Sequence, residues 1–302
     1  MGPIVECVPN FSDGRRAWVL EDIADAARSV RGVSFLGYEA DQDHNRCVMT
    51  FIGAPEPVKE AAFRSSARAA QLIDMNNHRG EHPRMGAADV IPFVPVREVS
   101  MADCIAMARD VGRRIGEELR IPVFLYQEAA NDQRRQDLAW VRKGEFEGLR
   151  ESIGKDPDRN PDFGPARIHP TAGATAVGAR FFLVAFNVNL RTPDVKVAKS
   201  IAKKVRESSG GLPKVKALGM ELHAKGMTQV SMNLTDYRVT SPVRVLEEIR
   251  ALAAAAGVEV AGSEIIGFVP AEALILSAAE ALKAEGFQAD QVLENRIEGA
   301  IS

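Results

Sequence analysis

Residues 90–96 read VIPFVPV and residues 265–271 read IIGFVPA, two apolar runs of the same make far apart in one chain. Each follows a helical pattern, precedes another, and has the length and Val, Ile and Phe content of a buried strand. Working backwards from Val90, IVECV at 4–8 is a strand, and Ser12 is placed to cap a helix whose Leu20, Ile23, Ala24 and Ala27 recur at helical spacing. GVSFLGYE at 32–39 and RCVMTFIG at 46–53 are two further strands, and Pro57 stands near the start of a helix bearing Val58, Ala62, Ala69 and Leu72. The order is β-α-β-β-α-β, the split βαβ arrangement with two helices on one face of an antiparallel sheet.

Working backwards from Ile265 gives the same order. FFLVAFNVNL at 181–190 is a strand, Thr192-Pro193 cap and open a helix with Val197, Ile201 and Val205, and VKALGMEL and TQVSMNLT are strands. Ser241-Pro242 then open a helix with Val245, Ile249 and Leu252 inward. The expected fold is therefore α/β of the α+β type. It has two ferredoxin-like split βαβ subdomains, residues 1–178 and 179–302, each a mostly antiparallel sheet with helices on one face, the sheets facing across a cleft. After the first run, Ser100 and Asp103 form a capping box and IPVFLYQ at 121–127 adds a strand. From Asn131 to Pro170 the apolar periodicity fades into a Pro-, Gly- and Asp-rich surface connection.

The composition narrows the function. A formal charge of −3 with 38 basic residues spread along 302 gives no footprint for nucleic acid. Three cysteines without a CxxC pair point to a reducing, cytoplasmic setting. No apolar run approaches the roughly 18 residues that cross a bilayer, so no membrane partner is expected.

The chemistry gathers just before the first run, in DMNNHRGEHPRMGAADV at 74–90. Pro83 disfavours a helical His82, and Gly80 and Gly86 loosen the chain on both sides, so the imidazole is presented from a turning segment. A histidine there both takes and gives a proton near neutrality, and Glu81, Glu39 or Asp41 is available to orient it. His78 and His82 have metal-ligand spacing, but Gly80 and Pro83 break the helix that spacing needs, so no metal is expected. GATAVGAR at 173–180 has the glycine spacing of a phosphate loop, yet carries Ala179-Arg180 in place of Lys-Ser/Thr. It reads as a close-packed turn between the halves or as a ligand contact.

VECVPNFS at Val5, LIDMNNHRGEHPRMGAADV at Leu72, IPVFLYQEAA at Ile121, PDFGP at Pro161, GATAVGAR at Gly173 and FLVAFNVNL at Phe182 together resemble the glutamate formimidoyltransferase family over nearly the whole chain. The resemblance implies transfer of a formimidoyl group between 5-formimidoyltetrahydrofolate and L-glutamate, within histidine degradation and one-carbon metabolism, by a homodimer. It implies His82 as the proton donor and acceptor, with Glu39 beside it where other members carry Asp. It implies folate contacts from Phe163, Gly164, Pro165, Pro170, Gly173, Ala174 and Thr175, and a tetrahydrofolate derivative as co-substrate. Some members are fused to a cyclodeaminase; here only the transferase part is expected. Arg84 and Arg180 are candidates for holding glutamate carboxylates through two parallel hydrogen bonds. Three rivals stand beside this reading: a glutamate formyltransferase using 5-formyltetrahydrofolate, a non-catalytic folate-binding regulatory module, and a metal-dependent hydrolase using His78, Glu81, His82 and His44.

Overall fold

A computed structural model of the chain describes residues 2–301. The chain divides into two compact units, Met1–Phe181 and Phe182–Ser302.

In the first unit, β1 (Ile4–Cys7) and β2 (Asn10–Phe11) are two pieces of one strand interrupted at Val8-Pro9. They are followed by α1 (Ala17–Arg28), β3 (Val33–Asp41), β4 (Arg46–Gly53), α2 (Pro55–Leu72) and β5 (Ala88–Arg97). The first strand lies between β4 and β5, antiparallel to both, and β3 flanks β4. That order, fourth-first-third-second, is the split βαβ sheet read from the sequence. Then α3 (Met101–Glu118) crosses back to β6 (Val123–Gln127), and the chain continues through α4 (Leu138–Val141) and α5 (Glu145–Ser152) to β7 (Thr175–Ala179). β7 inserts between β5 and β6 and runs parallel to both. The sheet is thus extended by a parallel portion, which the long crossovers through α3 and the α4–α5 region make possible.

One face of this sheet packs Val5, Cys7, Phe11, Phe51, Ile91 and Phe93 against residues of α1, α2 and α3. On the other face α4 and α5 bring Val141 and Leu149 onto Met85, Val90, Phe124 and Tyr126. Three local expectations change. The 131–170 connection contains these two helices, too short at four and eight residues to show periodicity. GATAVGAR contains strand β7 and is not a turn, with Gly178 so close to Tyr126 that a Cβ would lie 2.5 Å from its ring. Ser12 does not cap α1: its hydroxyl donates to Gly86 O at 2.7 Å, and Asp13 Oδ1 accepts from the Arg15 and Arg16 amides. The Ser100–Asp103 capping box is present.

The second unit runs β8 (Val184–Leu190), α6 (Val195–Val205), β9 (Val215–Leu222), β10 (Met227–Leu234), α7 (Pro242–Ala255), β11 (Val260–Ile266), α8 (Ala271–Ala281) and α9 (Leu293–Ile301). Its sheet has the order β11-β8-β10-β9, every pair antiparallel, which is again fourth-first-third-second. Val184, Phe186, Val188, Leu190, Val230 and Met232 alternate onto the helix-covered face. Ser241 caps α7 as read, whereas Asp194, two residues beyond Thr192, caps α6. The run IIGFVPA is strand only to Ile266, because Gly267 turns the chain at φ 73° and leaves Phe268 exposed.

Candidate functional site

The segment between α2 and β5 is irregular but tied down on two sides. On one side it lies along the β3–β4 turn. A Cβ on Gly80 would sit 2.3 Å from His44 O, the Glu81 amide donates to Asp43 O, and Asn45 Nδ2 donates to Arg79 O at 2.9 Å. His78 is fixed by both ring nitrogens: Nε2 lies 2.9 Å from Asn45 O, which can only accept, so Nδ1 is left to accept from Arg84 Nε at 3.1 Å. On the other side, the Ala87 amide donates to Ala172 O, the Ala174 amide donates to Met85 O, and a Cβ on Gly86 would fall 1.9 Å from Ala174 O. Gly80 and Gly86 therefore allow close backbone approach, and the loop they were expected to loosen is clamped.

His82 is half-buried between these clamps. Its Nδ1 lies 2.8 Å from Pro83 O. A carbonyl oxygen has no proton to give, so Nδ1 carries the hydrogen and Nε2 the lone pair. Burial, and then the positive charges of Arg46 and Arg142, hold the imidazole well below its ordinary pKa, which keeps it neutral; the His44 ring is 5.8 Å away.

Those two arginines meet on Asp89. The β2–β5 register steps from Asn10 opposite Val90 to Phe11 opposite Ala88, so Asp89 is the extra residue of a bulge. It is fully buried. Arg46 Nη1 donates to its Oδ2 at 2.8 Å, Arg142 Nη2 donates to the same oxygen, and the Met85 amide donates to Oδ1 at 2.8 Å. Burial alone would raise the carboxyl's pKa, but Arg142 and Arg46 outweigh it and hold it below the usual range. Asn10 Oδ1 accepts from Nε and Nη2 of Arg46, and burial together with Arg142 pushes that guanidinium down to about 10. The Nε of Arg142 is buried with no partner among the described residues. One carboxylate against two guanidiniums leaves a positive centre beside a neutral base.

The other residues singled out from sequence divide. Arg84 is buried and occupied: Nη1 donates to Glu145 and Glu147, and Nη2 donates to Glu147, all at 2.7–2.8 Å. Glu39 is exposed on β3 opposite Val48, and the ring hydrogen bond of His82 goes to Pro83. Arg180 follows β7; its charge opposes the burial that raises Glu6 and the burial that raises Tyr126. Pro170, Gly173 and Ala174 border the His82 loop, since Pro170 O accepts from Asn76 Nδ2 and Gly173 bridges to Gly86. Thr175 opens β7. Phe163 and Gly164 lie instead along α3, where a Cβ on Gly116 would come within 2.6 Å of Gly164 N; Pro165 follows them in the chain. Asp89, Arg46, Asn10 and Arg142 were not singled out from sequence. The one available signal was an acidic residue at the head of an otherwise apolar strand.

Among the described residues, no group of three His, Cys, Asp or Glu side chains is gathered as a metal site, and no helix is long and apolar enough to cross a membrane.

Residues 4–180 match the family described as the formiminotransferase domain, N-terminal subdomain, and residues 185–301 match the formiminotransferase domain. The chain is 47% identical over 300 residues to a glutamate formimidoyltransferase of Streptococcus pyogenes, covering 99% of this chain and 100% of that one. It is 48% identical over 299 residues to a glutamate formimidoyltransferase of Thermoplasma acidophilum, covering 98% of each. A formimidoyltransferase-cyclodeaminase of Mus musculus is 46% identical over 285 residues, which is 92% of this chain and 52% of the mouse protein.

Proposed function

The chain belongs to the formiminotransferase family, and from that premise we propose that it transfers the formimidoyl group between 5-formimidoyltetrahydrofolate and L-glutamate. It is a folate-dependent one-carbon transferase of histidine metabolism, with two small-molecule substrates. His82 is the proton shuttle. The observation that carries this role is the bond from Nδ1 to Pro83 O, which commits one ring nitrogen and leaves the other as a base.

The ammonium of glutamate is not a nucleophile until it loses a proton, and Nε2 of His82 accepts that proton. The amine nitrogen then bonds to the formimidoyl carbon. The bond from that carbon to folate N5 breaks as Nε2 returns the proton to N5. Arg46 and Arg142 serve both halves of the cycle, because they keep the resting ring neutral and make the protonated ring a ready donor. Arg142, with its unpartnered buried Nε, is assigned with Arg180 to the glutamate carboxylates. Arg84 is assigned to fixing the loop through Glu145 and Glu147. The folate contacts assigned are Pro170, Gly173, Ala174 and Thr175 beside the loop, with Phe163, Gly164 and Pro165 along α3. Glu39 is assigned an outer electrostatic role, the orienting bond being that of Pro83. A homodimer, on the family resemblance, and a cytoplasmic location, on the unpaired cysteines, complete the reading.

The test offers 5-formimidoyl- and 5-formyltetrahydrofolate separately with glutamate and follows release of tetrahydrofolate. Turnover with the formimidoyl donor is the expected result; turnover with the formyl donor alone, or folate binding without transfer to glutamate, would overturn it.

A further inference from the structure

Arg142 directly follows α4, a helix of four residues. A single turn cannot satisfy its own last carbonyls, so a helix this short needs outside donors at its C-terminal end. Arg159 supplies them from further along the 131–170 connection. Its Nη1 donates to Trp140 O at 3.0 Å, and its Nη2 donates to Val141 O at 2.9 Å and to Lys143 O at 3.0 Å. These carbonyls belong to residues on both sides of Arg142, so one planar guanidinium grips the backbone from which the Arg142 side chain springs.

Arg159 is 7% exposed, and its guanidinium lies 5.3 Å from the centroid of the Trp140 ring. Among the described residues its hydrogen bonds all go to backbone carbonyls, and burial pulls its pKa below the ordinary arginine value. Taking a guanidinium out of water without a carboxylate in contact is a costly way to end one turn of helix, where a glycine or asparagine would serve stability alone. The arrangement is explained by what it holds in place. Arg159 is itself held in the same manner: Arg135, also buried, donates from Nη2 to Asn160 O and from Nη1 to Asp162 Oδ2, both at 2.6 Å. Arg135 thus grips the turn that carries Arg159, Arg159 grips the turn that carries Arg142, and Arg142 Nη2 donates to Asp89.

Arg46, Arg142 and His44 are the charged or titratable groups that act on the His82 ring. Arg46 opens strand β4 and is placed by the sheet. Arg142 has no strand beneath it, so its position depends on whatever fixes the short helix before it. We propose that Arg159 is a positioning residue for the transfer reaction, which sets the Arg142 guanidinium beside His82 by holding the Trp140, Val141 and Lys143 carbonyls and acts through Arg142, not on either substrate. This rests on the roles read above for Arg142 and His82.

The full chain is prepared with Arg159→Met, with Arg142→Gln and with both. Formimidoyl transfer is measured against pH and glutamate concentration, and Tm is taken on the same preparations. Arg159→Met alone should move the acid limb of kcat/KM up toward the unperturbed histidine value of about 6.5. It should raise the KM for glutamate about 3–10-fold, less than the roughly 10–100-fold of losing the charged bond outright, because Arg142 is displaced and not removed. In the Arg142→Gln background the same substitution should leave the limb in place and change the KM by less than about twofold, since the residue it acts through is gone. A purely structural role would lower Tm and leave the limb of Arg159→Met where wild type has it, which overturns the proposal. Equal shifts in the two backgrounds also overturn it, because Arg159 would then act without Arg142. Should Arg159→Met fail to fold, Arg159→Lys decides: its ammonium keeps the charge but lacks the fork that spans these carbonyls, so the same shifts are expected at smaller size. Failure of both variants to fold makes Arg159 a residue of the fold alone and overturns the proposal. An Arg142→Gln chain that shifts neither limb nor KM sinks the reading beneath; one that shifts both, beside an Arg159→Met chain that shifts neither, sinks this inference alone.

Discussion

Asp89→Asn tests whether the buried charge cluster holds the site together. The carboxylate is fully buried, accepts from two guanidiniums and one backbone amide, and joins β4, β5, the residue after α4 and the His82 loop. Asparagine keeps an acceptor for Met85 N but removes the negative charge between Arg46 and Arg142. Leaving buried charge uncompensated costs about 3–5 kcal/mol. For a unit the size of Met1–Phe181, each kcal/mol lowers Tm by roughly 2–4 °C, so the variant should melt about 6–20 °C below wild type. The assay is a thermal melt followed by circular dichroism at neutral pH, with and without salt. Salt should change little, because the pairs are buried. The same cluster gives a pH signature. Asp89 titrates below its unfolded value of about 3.9, so its contribution is present above that value and is lost as pH falls through the folded pKa. A melt within about 2 °C of wild type, well under the cost of a broken buried pair, would refute the reasoning.

Further outcomes follow from the same geometry. The acid limb of kcat/KM should lie below the unperturbed histidine value of about 6.5, because burial, Arg46 and Arg142 all oppose the imidazolium and the neutral ring is the active base. Arg142→Gln should move that limb upward and raise the KM for glutamate about 10–100-fold, the range for a charged hydrogen bond; a limb at or above about 6.5 in wild type, or an unchanged KM, would count against it. Arg84→Gln should lower Tm while leaving glutamate KM nearly unchanged, and the reverse pattern would return Arg84 to the substrate. Activity should survive exhaustive chelation, and loss restored by one divalent ion would revive the metal reading.

The alternation and helical spacing of both halves were readable because each strand and helix buries its own apolar face, as Val5, Cys7 and Phe11 do on one strand and Ile23, Ala24 and Ala27 on one helix. β7 was not, since TAVGA is a strand of small residues whose identity depends on the neighbours it inserts between. The non-helical setting of His82 was readable because Pro83 and two glycines shape its surroundings locally. Asp89 was not, because its partners Arg46 and Arg142 lie 43 and 53 residues away. The partners of Arg84 were hidden for the same reason: its carboxylates come from Glu145 and Glu147, 61 and 63 residues on, where the sequence showed only a surface connection. Local pattern reports elements and exposed turns; long-range charge pairing leaves no spacing to read.

His82→Ala assayed for formimidoyl transfer, with folate affinity and Tm measured on the same preparation, tests the central claim most directly. Among the described residues the side chain's hydrogen bond is to the neighbouring Pro83 O, so the fold and folate binding should persist. Turnover should fall by about 10²–10⁴-fold, the contribution of a positioned general base that returns its proton as an acid. A folded variant that retained more than about a tenth of wild-type turnover, far short of that loss, would contradict the account and make His82 a bystander.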